Sequence, residues 1–172
     1  MIFDIKKIND NFPNIHSRYY IDSNSVVYTS ISKNNNRITV NGERRNINKF
    51  RKENLSKMNN TNKLIVGIPH SDHKYYMLND GTILQRLNTL KRDNNTVYVH
   101  LISFGGDSNG KLFILSRLVA GSFLGSVEGK EVHHLDGDRT NNKISNLQIL
   151  TFEEHRSKGK FKEKHPHLNP ND

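Results

Sequence analysis

The chain has 172 residues and a mass of 19.9 kDa, with 26 Lys plus Arg against 17 Asp plus Glu, a net charge of +9 and a pI near 9.8. The absence of Cys excludes disulfide frameworks, thiolate zinc sites and thiol nucleophiles, and no apolar run reaches the roughly 18–20 residues of a membrane span. The start MIFDIKKIND lacks a secretory signal, so a cytoplasmic location is expected, and the basic balance favours a polyanionic partner, nucleic acid before membrane.

Residues 1–16 carry little pattern. Arg18–Asp22 and Val26–Ser30 read as strands, followed by a polar turn at Lys33–Asn36 and a further strand at Arg37–Val40. Residues 44–60 are basic and poor in apolar side chains, which fits a short helix or a linker. A second strand-rich stretch runs Lys74–Leu78, an Asn79-Asp80-Gly81 turn, Thr82–Leu87, a turn at Asp93–Asn95, and Thr96–Leu101. The Asp-Gly step and the alternation of Val97, Val99 and Leu101 are hairpin signals. The two stretches resemble each other, Arg18-Tyr19-Tyr20 against Lys74-Tyr75-Tyr76 and Val26-Val27 against Thr82-Ile83. Either an internal duplication or two unrelated Tyr-led hairpins accounts for this. After a loop at 105–110, residues 111–123 place Leu112, Leu115, Leu118 and Val119 on one face at helical spacing, and Gly125–Gly129 end that helix.

The chemistry concentrates in residues 131–155. Val132–Leu135 reads as a strand, Asp136-Gly137-Asp138 as a turn, and Leu147–Leu150 as a second strand after a polar loop ending at Asn146. Thr151 with Glu154 three residues on forms a capping box, predicting a helix over 152–160. Adjacent strand residues point to opposite faces, so His133 and His134 take different roles. His155, in the first helical turn, can reach back to His133, and the two can share one cation with positions open for water and phosphate oxygens. A closed structural zinc site wants four ligands, and no Cys is present to supply them.

This segment resembles the HNH endonucleases of the ββα-metal fold, in particular the phage-type homing endonucleases. The resemblance rests on His133-His134-Leu135-Asp136-Gly137, Asn141-Asn142, Asn146-Leu147 and His155, with His155 nine residues beyond Asn146, and on the preceding Leu115–Leu124. It is strong over 111–156, weaker over 74–104 and absent over 1–60. It implies that His134 is the general base, that His133 and His155 are metal ligands, and that His134, Asn146 and His133 form the catalytic set. Asn146 would bond backbone across the loop, and Asp136 and Asn142 would shape it, with Asp136 a candidate to orient a His. Arg139, Lys143, Arg156, Lys158 and Lys160 would contact phosphates. One divalent cation is implied, Mg²⁺ or Mn²⁺ by the two-ligand set, with Zn²⁺ or Ni²⁺ also attracted to imidazole pairs. Many relatives carry Asp or Asn at the position of His133 and Asn at that of His155.

The fold class expected is α+β: a small antiparallel β-rich DNA-binding region followed by a ββα-metal nuclease unit. The expected divisions are 1–60, 61–110, 111–164 and a tail at 165–172. Residues 105–172 would form the catalytic unit, and 18–104 would read sequence in double-stranded DNA. The function implied is a metal-dependent, site-specific DNA endonuclease, phage- or mobile-element-encoded and acting in a bacterial host. A monomer would nick and a homodimer could cut both strands. The competing readings are a DNA-binding regulator with a dormant nuclease fold, a low-specificity packaging or defence nuclease, and a basic RNA-binding module.

Overall fold

The computed structural model describes residues 4–31, 37–40, 43–46, 48–49, 66–67, 75–78, 80–104 and 110–164, with the backbone alone at 37–40, 43–45, 66–67 and 159–164. The first half contributes β1 (Ile5–Lys7), β2 (Tyr19–Asp22), β3 (Val27–Ser30), β4 (Arg37–Val40) and β5 (Glu43–Asn46). Then come β6 (Val66–Gly67), β7 (Tyr75–Met77), β8 (Ile83–Arg86), β9 (Thr89–Lys91), β10 (Val97–Leu101) and β11 (Lys111–Ile114). Helix α1 (Leu115–Phe123) leads into β12 (Glu131–His134), β13 (Leu147–Leu150) and helix α2 (Phe152–Lys164). This is a mixed α+β architecture, rich in antiparallel sheet, as the sequence predicts.

Six strands form one sheet in the order β1-β2-β3-β8-β7-β6. The expected division at residue 60 runs between strands of this sheet, because β3 pairs with β8. The strand at 37–40 pairs with β5, most of which falls in the stretch read as helix or linker.

The halves of the sheet are related by a local two-fold axis. The pairs Tyr19–Thr29, Tyr20–Tyr28 and Ile21–Val27 become Tyr75–Gln85, Tyr76–Leu84 and Met77–Ile83 under one constant shift of residue number. The turns follow the same shift. Ser25 N donates to Asp22 O (3.0 Å) as Gly81 N donates to Leu78 O (2.9 Å), with positive φ of 65° at Ser25 and 78° at Gly81. Gly adopts that conformation freely. At Ser25 the turn is secured by Asp22, whose Oδ1 accepts from Asn24 N (3.0 Å) and Val26 N (2.9 Å). The seam pairs Thr29 with Gln85 at its centre. It is flanked by Ile31 N donating to Ile83 O (2.9 Å) and Leu87 N donating to Val27 O (2.8 Å), again exchanged by the shift. Two unrelated hairpins have no reason to agree in register, turn and seam, so the duplication reading is the better one.

The main core joins this sheet to the C-terminal unit. Ile8, Ile15, Tyr19, Ile21 and Val27 cluster with Val97, Val99 and Leu101 of β10, with Leu115, Leu118, Val119 and Ala120 of α1, and with Leu147 of β13. Gly121 sits against the Phe12 ring so closely that an added Cβ would collide with it. The expected helix over 111–123 begins only at Leu115. Residues 111–114 pair with β10 as a strand, and the apolar period read as one helical face belongs to two elements. Among the described residues no helix is long and apolar enough to cross a membrane.

A catalytic unit of 105–172 is therefore incomplete, since much of the core under α1 comes from residues 8–27. We expect the 105–172 fragment to give no cooperative unfolding transition. In the full chain, Ile21→Ala should cost about 2–5 kcal/mol, the usual range for truncating a fully buried aliphatic side chain. Urea denaturation followed by circular dichroism checks both, and a cooperatively folding fragment would contradict the first.

Candidate active site

Strands β12 and β13 pair antiparallel, His133 opposite Gln148 and His134 opposite Leu147. The chain leaves β12 through a turn in which Gly137 N donates to His134 O (3.0 Å) and Gly137 has φ 76°, a value that favours Gly there. Asn146 closes the loop. Its side chain, 8% exposed, donates to Asp136 Oδ1 (2.8 Å) and Asn141 O (2.8 Å) and accepts from Asp136 N (3.1 Å). Its own carbonyl accepts from Leu135 N (3.0 Å). The sheet outside the segment also takes part, since Ile144 N donates to Ser23 O (3.1 Å) in the turn between β2 and β3.

Asp136 sits at the centre of these bonds. Hydrogen bonds from the Asn141 side chain (2.7 Å), from Asn146 and from the Asp138 amide (2.8 Å) hold its carboxyl below the usual carboxylate range. The loop residue hydrogen-bonded to His134 is Asn142. Its Oδ1 lies 3.0 Å from His134 Nε2. The Asn142 amide nitrogen donates to Arg139 O (3.4 Å) and Thr140 O (3.2 Å), which leaves the oxygen facing the imidazole. An acceptor at Nε2 assigns the proton there and the lone pair to Nδ1. Asn142 is 3% exposed, so this arrangement is built into the loop.

The rings of His133 and His155 lie with centroids 5.2 Å apart at 68°. Helix α2 is set by the predicted capping box, Thr151 N donating to Glu154 Oε2 (2.6 Å) and Glu154 N to Thr151 Oγ1 (3.2 Å). Those bonds hold the Glu154 carboxyl below its usual range. His155 Nδ1 meets Glu131 Oε2 at 2.5 Å. Among the described residues no group of three or more His, Asp or Glu side chains is placed to hold a metal. A cleft of about 410 Å³ runs past His133, His134 and His155, lined also by Thr96, Ile114 and Arg139.

Arg139, Lys143 and Arg156 are exposed. Lys158 Nζ donates to Gln148 Oε1 (2.7 Å), tying α2 to β13. The side chain of Lys160 lies outside the described residues. Two participants were not read from the sequence. Arg117 of α1 donates to Lys130 O (2.9 Å) and Val127 O (2.6 Å), fixing the approach to β12. Glu131 holds His155. The signal for Arg117 is a cation set into an apolar helical face; for Glu131 it is the two-residue spacing to His133.

Residues 114–157 match the model of the HNH endonuclease family. The fold of the chain is similar to a solved structure described as DNA binding and cleavage by the HNH homing endonuclease I-HmuI, at 18% identity and a TM-score of 0.52. The likeness covers 98% of this chain and 62% of that one, so this chain spans under two thirds of its length. No curated protein matches the chain.

The lowered value at Asp136 sets an acid limb. A carboxyl whose folded value lies below its unfolded one contributes stability that is present above the unfolded value and lost as pH falls through the folded one. Asp136→Asn should flatten the dependence of the unfolding midpoint on pH below the ordinary carboxylate value and leave it unchanged near neutrality. An acid limb of wild-type steepness in that variant would show that Asp136 is not its source.

Proposed function

We propose that the chain is a metal-dependent, site-specific DNA endonuclease of the homing type, with His134 as general base. The observation that carries this is the contact between His134 and Asn142, which leaves the Nδ1 lone pair of His134 available beside the His133–His155 pair. Neutral imidazole, with an ordinary value near ~6.5, accepts a proton from water at neutral pH. Asn142 keeps the ring in one tautomer and one orientation, so no rotation is needed at the moment of proton transfer. Asn146 positions the residues that follow His134 by holding Asp136 and Asn141. His133 and His155 are the ligands for a single divalent ion, Mg²⁺ or Mn²⁺ before Zn²⁺ or Ni²⁺. Their chemistry fits it, as neutral nitrogen donors from two elements with the remaining positions left to water and phosphate oxygens. When bound, the ion supplies positive charge for the phosphorane-like transition state and the departing 3′ oxygen.

The partner is double-stranded DNA. Strands β9–β11 form a three-stranded sheet in the order β11-β10-β9. Its outer face carries exposed Leu90 beside Tyr98, with the Arg92 guanidinium 5.0 Å over the Tyr98 ring, while Thr96 and Ile114 bring it to the cleft. That surface suits groove contact better than β2, all four of whose residues are buried. Base reading is accordingly assigned to 89–101 within the wider 18–104 range, and phosphate contacts to Arg139, Lys143 and Arg156, giving affinity that falls with salt. A monomer has one such site and nicks one strand; a homodimer could cut both.

The test is incubation with supercoiled plasmid carrying the DNA that flanks the chain's own coding sequence, with Mg²⁺ or with EDTA. Nicking in Mg²⁺ alone is expected; binding without cleavage in Mg²⁺ and in Mn²⁺ would favour a regulator with a dormant site. His134→Ala should lower the single-turnover rate by at least 10²-fold, in the range of lost general-base catalysis, while gel-shift affinity stays near wild type. His133→Ala and His155→Ala should each be partly rescued by Mn²⁺, and their combination should lose little more than either alone. Equal Mn²⁺ rescue of His134→Ala would move it from base to ligand.

A further inference from the structure

We propose that Glu131 is a positioning residue that fixes the tautomer and orientation of His155 as a cation ligand, a role that rests on the reading of His133 and His155 as the metal pair. Glu131 opens β12 two residues before His133, so both side chains stand on the same strand face. Helix α2 packs over that face and brings His155 from its first turn onto the carboxylate, Nδ1 to Oε2 at 2.5 Å. An ionised carboxylate only accepts hydrogen bonds. Nδ1 of His155 therefore carries the proton, and Nε2 keeps the lone pair for coordination.

The pair contributes little as a salt bridge. Both side chains are 41% exposed, and exposed ion pairs add little to stability. Its consequence is chemical. A carboxylate behind a ligating imidazole fixes the ring and strengthens it as a donor. Other acidic groups at this end of α2 are differently placed. Glu154 is committed to the capping box at Thr151, and Glu153 is an exposed first-turn residue. The same device serves the other histidine: Asn142 sets the tautomer of His134 through Nε2, and Glu131 sets that of His155 through Nδ1. The two polar partners thus leave opposite nitrogens available, Nδ1 on the base and Nε2 on the ligand.

Two measurements on the full chain test this. The first is ¹⁵N NMR of the His155 ring in the metal-free protein, where wild type should show Nδ1–H and a lone-pair Nε2. Glu131→Ala should shift His155 toward the Nε2–H form that predominates in free imidazole side chains, while Glu131→Gln, which still accepts a hydrogen bond, should keep the wild-type tautomer. The second is calorimetric titration with Mn²⁺ alone. Glu131→Ala should bind about 10–100-fold more weakly, the usual cost of losing such a partner, with Glu131→Gln in between and an unchanged metal-free unfolding midpoint. In a His155→Ala background, removing Glu131 should cost nothing more. A wild-type tautomer and wild-type Mn²⁺ affinity in Glu131→Ala would overturn the role. A loss that persists in full without His155 would also overturn it, making Glu131 a ligand in its own right. Wild-type protein that takes up no Mn²⁺ would overturn the metal reading itself, and this role with it.

Discussion

The site depends on the alternation of side chains along four residues of β12. Because neighbouring strand residues face opposite ways, two consecutive histidines are forced into different surroundings. His133 shares its face with Glu131 and looks toward α2, where His155 waits. His134 turns to the loop, where Asn142 takes its Nε2. A shift of one residue in the pairing of β12 with β13 would exchange these surroundings and leave neither histidine with its partner. Register is held at both ends: Arg117 fixes the backbone before Glu131 through Val127 and Lys130, and Asn146 fixes it after His134.

The N-terminal half supports this arrangement directly. One meander of the duplicated sheet contributes Ile21 and Val27 to the core beneath α1, and its turn accepts the Ile144 amide at the mouth of the motif loop. Its opposite face carries a smaller cluster of Ile5, Tyr20, Tyr28 and Leu84, with Tyr76 edge-on to Tyr28 at 5.1 Å. Buried Asp22 ties the two sides together, accepting from Tyr28 Oη at 2.8 Å while holding the turn amides. The C-terminal ββα unit thus shares its core with the preceding hairpin, and packed side chains link the sheet to the motif loop.

Local signals were legible and long-range ones were not. The capping box at Thr151 and Glu154 fixed the start of α2, and the Gly137 turn and Asn146 marked the loop, because each acts over a few residues. The start of α1 was misplaced because Leu112 continues the helical period by chance while its backbone pairs with His100 across the sheet. The role of residues 8–27 in the nuclease core was invisible, since a buried Ile reads the same whichever element covers it. Asp136 is the loop residue that the sequence offers as a candidate to orient a histidine. The loop geometry gave that place to Asn142, whose amide can bond two carbonyls and an imidazole at once. The duplication was visible only as a faint Tyr-Tyr echo until strand register made it specific.

The two adjacent histidines are proposed to divide the labour, His134 as base and His133 as ligand. A crystal structure of the full chain with its duplex and Mn²⁺, with anomalous scattering recorded for the ion, tests that division most directly. One anomalous peak is expected, bonded to His133 and to Nε2 of His155, with Nδ1 of His134 directed at the scissile phosphate and its Nε2 still on Asn142. An ion bonded to His134, or a phosphate seated away from β12, would contradict it.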